Sequence, residues 1–167
     1  MNANRQKTRP RAIVDIESSG LGPDSWPVSI AWHILETGAE GHLLIKPAPG
    51  WIGWQDEAEE IHGITRDRLQ RDGVLPDEAA REIAHALREA DAHSDAPALD
   101  QAWMDKIFAG TRGLAIPAIR RYGDLFPGAS RQDYQALVRE VGERQAHWKA
   151  LADVRRLAAA VHHHGKR

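Results

Sequence analysis

Asp15 and Glu17 stand two residues apart in the run Ile13-Val-Asp-Ile-Glu-Ser-Ser-Gly20. On a β-strand, residues i and i+2 project from one face, so the two carboxylates lie side by side while Ala12, Val14 and Ile16 turn an apolar face the other way. Like charges at such range repel each other and are poorly hydrated. A divalent cation between them relieves both costs, which makes metal-assisted hydrolysis the chemistry to weigh first. Taken alone, the pair also reads as a strand end whose acids face solvent.

Three further groupings carry polar chemistry at suggestive places. In Glu60-Ile-His-Gly-Ile-Thr65, a histidine precedes a glycine turn, and Ile61 and Ile64 read equally well as core plugs. Asp100 follows Ser94-Asp-Ala-Pro-Ala-Leu and opens a helix after a short strand. An aspartate there is an effective N-cap and favours the positive end of the helix dipole, so by itself it needs no catalytic role. In His147-Trp-Lys-Ala-Leu-Ala-Asp153, the acid flanks the apolar stripe of a helix, where pairing with Arg155 or Arg156 is the plainer reading.

The elements that must position these groups follow from periodicity. The chain has 167 residues, 42% hydrophobic and 28% charged. That is enough for one core, with a basic tail over 1–10, one domain over 11–161 and a tail over 162–167. Strands are predicted over 11–17, 28–36, 42–46 and 92–95, with a hairpin turn at 37–41 and an edge strand at 114–119 demoted by Pro117. The segment 47–60 reads as irregular, with Trp51 and Trp54 over one end of the core. Helices are predicted over 66–70 with Thr65 as cap, 77–90, 100–108, 131–142 and 149–161, the last with Leu151, Val154, Ala158 and Val161 in one stripe. A hairpin followed by alternating helices and strands means an α/β fold with a mixed sheet.

Composition narrows the chemistry. There is no cysteine, which excludes disulfides, thiolate zinc sites and thiol catalysis, and leaves carboxylates and histidines to hold hard ions such as Mg²⁺ or Mn²⁺. A formal charge of −2 argues against coating long nucleic acid by charge alone. No apolar run approaches a membrane span and the first residues are polar and basic, so a cytoplasmic protein without membrane contact is expected.

Taken in order, the four groupings resemble the DnaQ-like DEDDh family of 3′-5′ exonucleases, a ribonuclease H-like superfamily, over about Ala12 to Val161. The family's first motif is matched by Asp15 and Glu17, its second by Asp100, and its third by His147 and Asp153. The resemblance implies a ribonuclease H-like mixed central β-sheet flanked by α-helices. It implies two divalent ions, Mg²⁺ or Mn²⁺, on Asp15, Glu17, Asp100 and Asp153, set ~4 Å apart, with His147 as general base. A histidine suits that task because its unperturbed pKa is roughly 6.5. The implied reaction is release of nucleoside monophosphates from the 3′ end of single-stranded or frayed RNA or DNA. Ser18, Ser19, His62 and Ile64 would then contact the terminal nucleotide, although His62 also reads as a turn histidine bonded to nearby backbone.

One departure stands out. The family places four residues between the His and Asp of the third motif, whereas five intervene here, and Trp148 takes the usual His position. If the helix reached back to residue 147, the extra residue would rotate the ring by ~100°. A loop before the helix would absorb it. The altered spacing keeps a second reading open, a catalytically impaired pseudo-exonuclease acting as a nucleic-acid or protein-binding module. The resemblance also admits a homodimer and a polymerase partner. The tract His162 to His164 looks like a metal-binding run at a flexible end.

Overall fold

The computed structural model describes residues 8–133, 135–136 and 149–165. Its framework is a five-stranded sheet in the order β3-β2-β1-β4-β5. Strand β1 (Arg11–Ser18) lies at the centre, between β2 (Pro27–Ile34) and β4 (Asp91–Ser94); β3 (Glu40–Leu44) and β5 (Ile119–Arg121) form the edges. The β1-β2 and β2-β3 pairs are antiparallel, and β4 and β5 run parallel to β1. The predicted mixed α/β sheet is therefore present. Pro117 lies just before the edge strand β5, two residues short of its ladder, and the Ile119 amide donates to the Gln101 side chain at 2.8 Å. That strand occupies 119–121, later than the 114–119 expected from sequence.

Alternation along β1 sorts its side chains between two layers. Ala12, Val14 and Ile16 join the core formed with α3 (Pro76–Ala86) and α4 (Pro97–Phe108), through Ile83, Met104 and Ile107. Ile13 points the other way, into a second core with Val154, Leu157, Ala158 and Val161 of the C-terminal helix α5 (Lys149–His164). Asp15 and Glu17 share Ile13's side of the strand, so the row that is apolar at Ile13 becomes acidic as it runs toward the start of α5.

Several boundaries differ from the sequence reading. Residues 56–60, within the segment expected to be irregular, belong to helix α1 (Asp56–His62), whose acidic first turn complements the helix dipole. Its run of exposed acids offers no apolar periodicity, which is why the pattern hid it. Gly63 ends this helix at φ +68°, a conformation that suits glycine, and its N–H donates to Glu59 O. Helix α2 (Arg66–Asp72) starts at Thr65, whose hydroxyl accepts the Arg68 amide at 3.2 Å, as expected. Helix α3 stops at Ala86, short of the predicted residue 90, and α5 continues past Val161 to His164, whose ring packs 5.2 Å from that of Phe126. Helix α4 begins at Pro97, so Asp100 sits inside its first turn and Ala96 is the cap.

The expected lid of tryptophans is present. Trp26 stacks on Trp51 at 5.8 Å and meets Trp54 at 5.4 Å, above Val28, Leu44, Ile64 and Leu69. No helix among the described residues is long and apolar enough to cross a membrane. Of the helix expected over 131–142, only 131–133 and 135–136 are described, and they are helical.

Candidate metal and nucleic-acid site

The end of β1 and the first turns of α5 bring three acids together. Asp15, Glu17 and Asp153 each offer a carboxylate oxygen within 4.8 Å of the others. The convergence has a simple origin, because Val154 and Leu157 pack on the Ile13 side of β1 and carry Asp153, one residue before Val154, to the polar end of the same row.

The electrostatics match a cation site. Burial pushes the Asp15 carboxyl well above its ordinary range, and the charges of Glu17, Asp100, Asp153 and Asp95 push it further the same way. Burial also raises Glu17, although Lys149 opposes the shift. Asp15 Oδ2 is buried and meets no hydrogen-bond donor among the described residues. A buried carboxylate oxygen without a donor is costly, and a cation is the partner that would satisfy it. The residues present therefore fit a divalent ion.

Asp100 approaches the same site from the opposite layer but is engaged differently. It is 2% exposed, accepts a hydrogen bond from the Ser94 hydroxyl, and its oxygens face the Ile16 backbone between the two acids of β1. Burial raises its pKa to about 7 against the lowering pull of Ser94. It is not one of the three acids whose oxygens converge most closely.

Asp153 carries two cations of the chain's own. Arg156 donates to Oδ1 at 2.8 Å, as one sequence reading anticipated, and Lys149 donates to Oδ2 at 2.7 Å. Arg155 instead pairs with Glu40 on β3, its Nε lying 3.0 Å from Oε2. Burial works against the Lys149 charge, but the hydrogen bond to Asp153 and the fields of Glu17, Asp153 and Asp15 outweigh it and hold the ammonium above its ordinary range. His147 and Trp148, on which the third-motif spacing turns, lie outside the described residues.

Beside Glu17 opens a hollow of about 270 Å³ lined by Glu17, Ser18, Leu21, Ile61, His62 and Trp103. Leu21 and Ile61 are 75% and 65% exposed, so an apolar rim borders the acids. His62 closes α1 with Nδ1 accepting the Ile64 amide at 3.0 Å, and its ring faces the Ser18 backbone. Burial lowers its pKa, which favours the neutral ring. The turn-histidine role and a place on the pocket wall therefore coexist.

The other two residues named for substrate contact are not among those lining this hollow. Ser19 is 1% exposed and its hydroxyl accepts the Trp26 amide at 3.0 Å, fixing the loop after β1. Ile64, 1% exposed, is a core residue against Trp26, Val28, Leu44 and Leu69, because Gly63 reverses the chain and turns it inward. Sequence reasoning passed over Lys149, Ser94 and Asp95. The i,i+4 spacing of Lys149 and Asp153 was the available signal for the first; nothing local marked the others.

No protein-family model matches the sequence, and no curated protein matches it. Solved structures do resemble the fold. A moderately thermophilic exonuclease I from Methylocaldum szegediense matches 92% of this chain at 18% identity with a TM-score of 0.67. E. coli exonuclease I in complex with a 5cy-dA13 oligonucleotide matches 92% at 16% identity with a TM-score of 0.65, and the metal-free form of its complex with single-stranded DNA matches 91% at 16% with a TM-score of 0.62. The chain spans 38–40% of the length of those proteins. At such identity the likeness establishes the fold alone: a mixed sheet flanked by helices, with exonuclease I structures as neighbours.

Proposed function

We propose that this chain is a metal-dependent 3′-5′ exonuclease that hydrolyses phosphodiester bonds at the 3′ end of single-stranded or frayed nucleic acid and releases nucleoside monophosphates. The observation that carries the reading is the convergence of Asp15, Glu17 and Asp153 from two elements around a buried carboxylate oxygen that lacks a donor. The fold shared with exonuclease I supports it, including a neighbour solved with an oligonucleotide.

Asp15, Glu17 and Asp153 would hold one divalent ion, and Asp100, displaced from its bond with Ser94, would help to hold a second. When bound, such ions acidify water and neutralise charge on the phosphoryl oxygens. The chain's own contributions are distinct. Arg156 orients Asp153 through Oδ1. Leu21 and Ile61 give an apolar rim on which the terminal base can rest, a mode that needs no base sequence. Ser18 and His62 wall the same hollow. His147 is assigned as general base on the motif it shares with the family.

The test is a gel assay on 5′-labelled single-stranded RNA and DNA of matched sequence, with Mg²⁺ or Mn²⁺ and with EDTA, beside Asp15→Asn. A ladder that shortens from the 3′ end only with metal and with Asp15 intact is expected, roughly 10²-fold or more faster than the variant. Equal ladders from the wild type and Asp15→Asn would sink the proposal.

A further inference from the structure

Lys149 stands inside the carboxylate cluster. Its Nζ lies 2.7 Å from Asp153 Oδ2 and 3.3 Å from Glu17 Oε1, bridging α5 to β1. Arg156 takes the other oxygen of Asp153. One oxygen of Asp153 is thus held by an arginine within the same helix and the other by the lysine. Glu17 Oε1 and Asp15 Oδ2 are both buried without a hydrogen bond, but Glu17 has the Lys149 ammonium 3.3 Å away, whereas Asp15 has no ion pair among the described residues. The cluster is therefore divided. Its Glu17–Asp153 edge already carries a positive charge, and its Asp15 corner does not.

The two kinds of cation also differ in how firmly they are held. Arg156 is planar and paired within one helical turn. The Lys149 side chain is 43% exposed, while the carboxylates it bridges are 12% and 17% exposed. An ammonium on a flexible four-carbon stem can leave into solvent without moving the helix that bears it.

We propose that Lys149 is a tethered counter-ion that holds the Glu17–Asp153 edge until a divalent cation displaces it, so that this residue sets the metal affinity of the site. The proposal rests on the metal-site reading above. An ion entering at Asp15 alone displaces nothing; one that also draws in Glu17 and Asp153 must break both lysine contacts. These contacts lie between shielded carboxylates, where they are stronger than ion pairs on an open surface. In the metal-free protein the lysine also supplies Glu17 with a counter-charge, Asp153 already having that of Arg156.

Titration calorimetry with MnCl₂, without nucleic acid, tests this on the wild type, Lys149→Met, Lys149→Arg and Asp15→Asn. Lys149→Met is expected to bind Mn²⁺ about tenfold more tightly, and Lys149→Arg to stay near the wild type. Unchanged or weaker binding by Lys149→Met, with the wild type still binding, overturns the counter-ion role and leaves the metal site standing. No uptake by either the wild type or Lys149→Met, or full uptake by Asp15→Asn, overturns the metal-site reading itself. Melting curves give a second readout: Lys149→Met should melt lower than the wild type in EDTA yet gain more from Mn²⁺. An equal gain in both proteins also overturns the inference.

Discussion

Ser94, the last residue of β4, donates its hydroxyl to the carboxylate of Asp100 in the first turn of α4, and both side chains are buried. The bond joins the end of a strand to the start of the helix that follows it. It also opposes the burial that lifts the Asp100 pKa to about 7. Ser94→Ala removes that opposition. The midpoint for Asp100 ionisation, followed by carboxyl NMR in the metal-free protein, should then rise by about one unit. An unmoved midpoint would mean that the hydroxyl does not act on the charged form.

Stability of the metal-free protein should depend on pH in an unusual direction. Asp15 and Asp100 have raised pKa values, so the folded state keeps protons that the unfolded chain has lost. For Asp100 the resulting penalty begins near pH 4, the ordinary carboxylate value, and is complete above about 7. Asp100→Asn should therefore gain about 1–3 kcal/mol over the wild type at pH 8 in EDTA, and little at pH 4. Urea unfolding at the two pH values measures both gains, and equal gains would contradict the burial argument.

At limiting metal, activity should rise with pH through neutrality, because ions and protons compete for the same carboxylates. Raising Mn²⁺ should move the acid limb of the rate profile to lower pH. A limb that stays fixed from low to saturating metal would place the controlling group outside the acid cluster.

The apolar side chains near the site divide by burial. Leu21→Ala and Ile61→Ala remove exposed rim atoms and should raise KM for a short single strand while changing stability by no more than about 0.5 kcal/mol. Ile64→Ala empties a core position and should cost about 2–5 kcal/mol. Michaelis curves and urea unfolding on the three variants check the division. A large stability loss at Leu21 would show the rim to be structural.

Gly41 on β3 faces the indole of Trp32 on β2, and a β-carbon there would lie 2.1 Å from the ring. Gly41→Ala should therefore cost about 1–3 kcal/mol by overpacking the β2-β3 pair. Urea unfolding is again the measure, and a neutral substitution would mean that the Trp32 ring can shift freely.

Sequence by itself determined whatever depends on short-range periodicity. The period-2 rule put Asp15 and Glu17 on one face of β1 with Ala12, Val14 and Ile16 on the other, and the two core layers follow that division. The Thr65 cap was legible because capping is a contact across three residues. The apolar stripe of the last helix was legible through Val154, Ala158 and Val161, which are buried. Helix α1 was not, because its acids form no apolar stripe and its end depends on the positive φ of Gly63.

Tertiary structure alone decided which polar groups meet. Asp15 and Asp153 are far apart in the chain, and their convergence follows from α5 packing over Ile13. The bridge from Lys149 on α5 to Glu17 on β1, the sequestering of Asp100 by Ser94, and the inward turn of Ile64 were equally invisible. Residue spacing specifies the face from which a side chain leaves its own strand or helix. What lies opposite that face is specified only when the layers pack.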